Sequence, residues 1–156
     1  MIQQDLLALQ QTLHSGNTDA QLLASIIFAR SPLHLYHLQQ AFLQGSSAHA
    51  PLTRLVKMRV AGHLKEALVY ALDGAKKDCS GCHRDAKWIH KAMAGAGTKD
   101  QQLIDRLLRA HWDKPRFEAV KQAYERKWKR LEVDIAGDTS GDFRDFLLEV
   151  CKQAIA

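Results

Sequence analysis

The chain has 156 residues, of which 46% are hydrophobic and 25% charged, so it is long enough to bury a core without disulfide staples. Lysine and arginine number 22 against 17 aspartates and glutamates, and this net charge of +5 favours anionic partners such as nucleic acid or acidic lipid surfaces. No stretch approaches the roughly 18 apolar residues needed to cross a bilayer, so we expect no transmembrane helix.

Apolar residues recur at helical spacing along the chain, and no segment alternates with the period of a β-strand. The sequence therefore predicts an all-α fold without a sheet. From the N-terminus, the first five predicted helices cover residues 2–13, 19–29, 33–44, 50–58 and 62–73. The last five cover residues 85–94, 100–110, 114–127, 129–136 and 140–153.

Three of the second five helices repeat the apolar stripes of their counterparts in the first five about 80 residues later. The third and eighth helices illustrate the match, with Leu35, Leu38 and Phe42 spaced like Phe117, Val120 and Tyr124. We therefore predict two five-helix repeats, at residues 1–73 and 85–156, that pack together. The polar segment at residues 74–84 is the predicted linker.

The linker contains the string CSGCH, in which Cys79, Cys82 and His83 have the spacing of a c-type haem attachment site. That attachment usually requires export, and the N-terminus lacks the basic start and apolar run of a signal peptide. We interpret the two cysteines as incidental linker residues, which leaves the role of the string open. An odd number of cysteines without an export signal indicates a reducing, cytoplasmic location.

A tight bend with two glycines, MAGAGTKD at residues 93–100, lies between the sixth and seventh helices. Glycine lets other groups approach the backbone closely. About forty residues later the segment AGDTSGDF places Asp138 before the last helix. Taken separately, the glycines fit an ordinary helix C-cap, and either Asp138 or Thr139 fits an N-cap of the last helix.

Taken together, KAMAGAGTKDQQLI and AGDTSGDFRDFLL resemble an annexin repeat, whose calcium loop reads glycine, any residue, glycine, threonine, with an acidic residue about forty positions on. The segment HWDKPRFEAVKQAY is similar to the corresponding part of fungal annexins. In the first half, LLASIIFARS resembles the second helix of a repeat in this family. The resemblance implies two all-α annexin-type repeats, strongest in the second.

The resemblance also implies a calcium site in the second repeat. The backbone carbonyls of Met93, Gly95 and Gly97 would supply three oxygens, and Asp138 two more as a bidentate carboxylate. Because calcium takes about six to eight oxygen ligands, one to three positions remain for water or a lipid phosphate oxygen. A second, weaker calcium site would involve the Thr98 carbonyl and Asp100, as in some repeats of this family.

This site implies calcium-dependent, reversible and peripheral binding to acidic phospholipid membranes when calcium is raised. We see no catalytic dyad and no phosphate-binding loop, so we expect no enzymatic activity. The alternative is a basic helical module that binds nucleic acid or other polyanions without calcium. The basic run KQAYERKWKR at residues 121–130 is compatible with that alternative, although a solvated helix face is the commoner explanation.

The first repeat departs from the calcium pattern. Ser15 and Asn17 stand where the second repeat has its two glycines, and Arg59 stands where it has Asp138. Because an arginine cannot ligate calcium and repels it, we expect this repeat to be structural. Annexins usually carry four repeats, so two repeats imply either a half-length product or a fragment of a longer annexin. The segment LLEVCKQ resembles the close of a last repeat and favours the C-terminal half. Such a chain would leave apolar surface open to self-association.

Overall fold

The architecture comes from a computed structural model that describes residues 1–15, 18–45, 50–76, 80–95 and 97–153. Within these residues the regular structure is all helical, as the sequence predicts. The first five helices are α1 (Ile2–His14), α2 (Ala20–Ala29), α3 (Pro32–Gly45), α4 (Leu52–Arg59) and α5 (Gly62–Gly74). The next five are α6 (Cys82–Met93), α7 (Asp100–His111), α8 (Lys114–Glu125), α9 (Leu131–Asp138) and α10 (Gly141–Lys152). No helix in these ranges is long and apolar enough to cross a bilayer.

The chain divides into two compact units, Met1–Gly81 and Cys82–Ala156, each with five helices. The second unit begins earlier than the predicted boundary at residue 85, because Cys82 to Arg84 already form the first turn of α6. Cys82 is itself buried against the core of its unit. Burial of this side chain favours its inclusion in the helix over a solvated linker.

Each unit has its own hydrophobic core, built from the stripes that the sequence predicts. The largest buried side chains occupy matching places, with Phe42 in the first unit and Tyr124 in the second, both fully buried. Leu52 and Val56 on α4 match Leu131 and Ile135 on α9 in the same way. The two units are therefore variants of one five-helix design.

Aspartate side chains cap the N-termini of two helices. The Asp19 carboxylate accepts a hydrogen bond from the Leu22 backbone N–H at 2.9 Å, which caps α2. Asp113 caps α8 in the same way through the Arg116 N–H at 3.0 Å. The helix α9 lies two residues later than predicted, at Leu131–Asp138, because the chain first makes a turn after α8. Asp138 is consequently the last residue of a helix and not part of a connection.

Candidate metal centre

A closed loop follows α6 and carries the two predicted glycines. The helix ends at Met93, and the Ala94 N–H donates to the His90 carbonyl at 2.8 Å. The chain then returns, and the Lys99 N–H donates to the carbonyl of Ala92 at 2.8 Å, which closes the loop ahead of α7. The loop is thus held by backbone hydrogen bonds to the last turn of α6. Residue 96, at its tip, lies outside the described residues.

Backbone conformation explains why glycine occupies both positions. Gly95 has φ +116° and Gly97 has φ +87°, values that L side chains rarely adopt. A Cβ atom at either position would meet nothing within 4 Å, and both residues are exposed. The glycines are therefore required by the turn and not by close packing, and the space where their side chains would stand is open.

Asp138 lies beside this loop although it is distant from it in the sequence. It is the exposed last residue of α9. The Thr98 hydroxyl donates a hydrogen bond to the Asp138 backbone carbonyl at 2.8 Å. This contact joins the loop after α6 to the end of α9 across 40 residues of sequence. The structure therefore brings Gly97, Thr98 and Asp138 to one end of the second unit.

The remaining predicted site residues lie around the same loop. Met93 is the last residue of α6, and its side chain is buried in the core. Asp100 is the exposed first residue of α7, two positions after Thr98. Met93 and Asp138 thus end the two helices that meet at the loop, the two glycines lie in the loop, and Asp100 lies at its exit.

A polar chain that the sequence does not predict joins α6, α8 and α9. The Tyr124 hydroxyl donates to Asp134 Oδ2 at 2.8 Å and lies 3.2 Å from His90 Nδ1. The Trp128 ring stacks on His90 with ring centroids 4.2 Å apart. Burial raises the pKa of the Tyr124 hydroxyl, and the Asp134 hydrogen bond and the Asp134 and Asp138 charges raise it further. The available signal was a tyrosine on a fully buried stripe, because a buried hydroxyl needs a partner.

The equivalent end of the first unit lacks these features. Ser15 follows α1 in an extended conformation, φ −68°, and its hydroxyl donates to the Thr12 carbonyl at 3.0 Å. Asn17 lies outside the described residues. Arg59 is the exposed last residue of α4, as Asp138 is of α9. The next helices begin with Gly62 at φ +64° and Gly141 at φ +59°, which supports pairing Arg59 with Asp138.

The available donors define the kind of ion that fits the second unit. The described residues contain no cluster of three or more His, Cys, Asp or Glu side chains that could hold a metal. A site at the loop must therefore combine backbone carbonyl oxygens with a carboxylate. Calcium accepts such all-oxygen sites with irregular geometry, whereas zinc prefers nitrogen and sulfur ligands.

The CSGCH string at residues 79–83 does not form a second metal or haem site among the residues that the structure describes. Cys79 lies outside the described residues, and Cys82 is packed in the core of the second unit. The third cysteine, Cys151, is buried on α10, and burial raises the pKa of its thiol to about 12. A thiol with that pKa stays protonated near neutral pH and is a poor nucleophile and metal ligand.

Comparison with known proteins identifies a family model and relatives that match this chain. An annexin family model matches residues 84–150, the unit that carries the glycine loop. Annexin C1 of Cryptococcus neoformans var. grubii is 34% identical over 137 residues, covering 87% of this chain and 29% of that protein. Human annexin A1 is 30% identical over 149 residues, covering 95% of this chain and 40% of that protein. The chain spans less than half the length of these curated relatives.

The solved structure of annexin III has the same fold. It superposes with a TM-score of 0.77 at 26% sequence identity, over 98% of this chain and 45% of that one. The similarity extends over both five-helix units, including the first, which the family model does not match. With a matching family model, a fungal relative and a shared fold, the chain belongs to the annexin family.

Proposed function

We propose that this chain binds acidic phospholipid membranes in a calcium-dependent manner through the loop after α6 and Asp138. Annexins as a family bind such membranes with calcium and are generally not enzymes. The observation that carries the proposal is the hydrogen bond from the Thr98 hydroxyl to the Asp138 carbonyl at 2.8 Å. Without that proximity, a carboxylate about forty residues away in the sequence could not ligate the same ion as the loop carbonyls.

The proposed ligands are the carbonyl oxygens of Met93, Gly95 and Gly97 together with the Asp138 carboxylate. These are hard oxygen donors, and the exposure of both glycines and Asp138 leaves the site open to solvent. A bound calcium ion would supply the positive charge that joins this incomplete oxygen cage to a lipid phosphate. Thr98 and Asp100 are proposed for a second, weaker calcium site at the exit of the loop.

The charge of the whole chain supports the same partner. A net charge of +5 attracts an anionic surface and assists the approach to it, although salt screens this contribution. The expected association is peripheral and reversible.

Co-sedimentation with vesicles of phosphatidylserine and phosphatidylcholine tests the proposal. We expect the chain to pellet with vesicles in calcium and to be released by a chelator. Asp138→Asn removes the carboxylate charge with little change in shape, so most calcium-dependent binding should be lost. Asp145→Asn is the matched control, because Asp145 is an exposed carboxylate on α10 of the same unit and should leave binding unchanged.

Two outcomes would contradict the proposal. One is binding that persists in chelator and in Asp138→Asn but falls steeply with salt, which would favour the calcium-independent polyanion module. The other is an equal loss in Asp138→Asn and Asp145→Asn, which would indicate a general effect of surface charge.

A further inference from the structure

Tyr124 connects the last turn of α6 to Asp134 on α9, and these two helices both end at the proposed calcium site. Its side chain is fully buried where α8 packs on α6 and α9. The hydroxyl donates to Asp134 Oδ2 at 2.8 Å, and its oxygen lies 3.2 Å from His90 Nδ1. Because the hydroxyl proton points to Asp134, the oxygen is free to accept the N–H of the His90 tautomer protonated at Nδ1.

Both partners of Tyr124 lie one helical turn from the site. His90 is in the last turn of α6, and its carbonyl accepts the Ala94 N–H at 2.8 Å where the loop begins. Asp134 lies four residues before Asp138 on α9, and residues at this spacing share one face of a helix. One phenol group thereby links the base of the loop to the helix that carries the carboxylate.

The first unit provides an internal comparison for this link. Its core places Phe42 where the second unit has Tyr124, and both side chains are fully buried. The matching repeats place Gln10 at the position of His90 and Leu55 at that of Asp134. The unit with Arg59 in place of the acid therefore lacks this hydrogen-bonded chain as well. It still forms five helices, so a phenyl ring at this position is sufficient for the fold.

We propose that His90, Tyr124 and Asp134 form a positioning network that holds the loop and Asp138 at the separation calcium binding requires. The inference rests on the proposed function, since it assigns these three residues a role in that same site. None of them is proposed to touch the ion. Their effect is to fix the two helix ends before binding, which lowers the entropy lost when the site is ordered.

Tyr124→Phe tests the network, because it copies the residue that the first unit already accommodates at this place. The readout is the calcium concentration at half-maximal binding to phosphatidylserine vesicles, measured below the thermal unfolding midpoint of each variant. Loss of one hydrogen-bonded link should raise that concentration about three- to tenfold. Phe42→Leu is the control, since it perturbs the core of the first unit and should leave the calcium midpoint unchanged.

A double-mutant cycle separates positioning from general stability. In an Asp138→Asn background, Tyr124→Phe should cause no further loss, because the network acts through the carboxylate that has been removed. If Tyr124→Phe does not fold, His90→Gln serves instead, with glutamine as in the first unit. A raised calcium midpoint in that variant supports the network, and an unchanged one overturns it.

The network and the proposed function fail in different ways. Calcium-dependent wild-type binding with the same calcium midpoint in Tyr124→Phe would overturn the network alone. Wild-type binding that does not respond to calcium would overturn both. Equal losses from Tyr124→Phe with and without Asp138 would show that the substitution acts on the fold, and this result too would overturn the network.

Discussion

At the level of single residues, Gly95 and Gly97 give the loop after α6 its shape. Both have positive φ, and neither would bring a Cβ into contact with other atoms. Thr98 then attaches the loop to the end of α9 through its hydroxyl. The conformation is thus determined by backbone geometry and one side-chain hydrogen bond. The nearest core residue before the loop is Met93, at the end of α6.

We predict that Gly97→Ala weakens calcium-dependent membrane binding with little change in thermal stability. An alanine at φ +87° costs about 1–2 kcal/mol, so the free loop relaxes and binding must restore the strained conformation. The calcium midpoint should rise by about five- to thirtyfold in vesicle co-sedimentation.

Gly137→Ala is the control for this substitution. Gly137 lies inside α9 beside Asp138, and a Cβ there would also meet nothing within 4 Å. Alanine favours a helix over glycine by up to about 1 kcal/mol, so this variant should be at least as stable as the wild type. A calcium midpoint that rises as much in Gly137→Ala as in Gly97→Ala would show that positive φ is not the cause.

At the level of helices, an aspartate on the first helix of each unit binds basic side chains. In the first unit the buried Asp5 of α1 receives two hydrogen bonds from Arg30, at 2.7 and 2.9 Å, and lies 2.8 Å from His34 Nε2. The matching Asp85 of α6 pairs with Arg84 and Arg116. The Asp5 cluster joins α1 to the corner between α2 and α3.

We predict that Asp5→Asn destabilises the first unit by about 1–3 kcal/mol at neutral pH, the cost of weakening hydrogen bonds between charged groups. The Arg30 hydrogen bond, opposed by burial and supported by His34, holds the pKa of Asp5 below its ordinary 3.8. The stabilisation from ionised Asp5 is therefore complete above that value and is lost as the pH falls below it. Hydrogen exchange of amides in α1 and α3 measures the stability of the first unit in the wild type and in the variant.

The wild type should be more stable than Asp5→Asn by the full amount near pH 5, and this difference in stability should shrink below pH 3.8. A difference that keeps its full size down to pH 2 would exclude ionisation of Asp5 as its source.

Helical periodicity was sufficient to predict the all-α class, the repeat and the stripes that became the two cores. The GAGT loop and Asp138 could be proposed because their residue types and order carry the family pattern. The polar chain through His90 and Asp134 could not, because it depends on which side chains meet across three helices. The start of α9 was misplaced for a related reason, since the apolar period alone does not locate the turn before it.

At the level of the whole molecule, two units share a helical design but differ in polar chemistry at one end. Each has a separate core, so each can respond separately to a ligand. The second unit carries the loop, the carboxylate and the polar chain, whereas the first has Ser15 and Arg59 at the corresponding places. Calcium is therefore expected to act on one unit.

We predict that calcium protects the second unit selectively. At a calcium concentration a hundredfold above the dissociation constant, binding stabilises the liganded unit by about 2.7 kcal/mol. Amides of α6 and α9 should then exchange with solvent more slowly, while amides of α1 and α4 keep their rates. Hydrogen exchange with and without calcium measures both sets in one experiment, and equal slowing in both units would contradict a single site in the second.

Gly62 keeps the left-handed backbone of Gly141 even though no acid precedes it at the corner between α4 and α5. The turn is therefore a property of the scaffold and is maintained without any ion to hold. At that corner, the first unit differs from the proposed calcium site of the second by a side chain and not by the path of the chain. A protein engineer who wished to install a new site there would begin from a main chain that is already correctly bent.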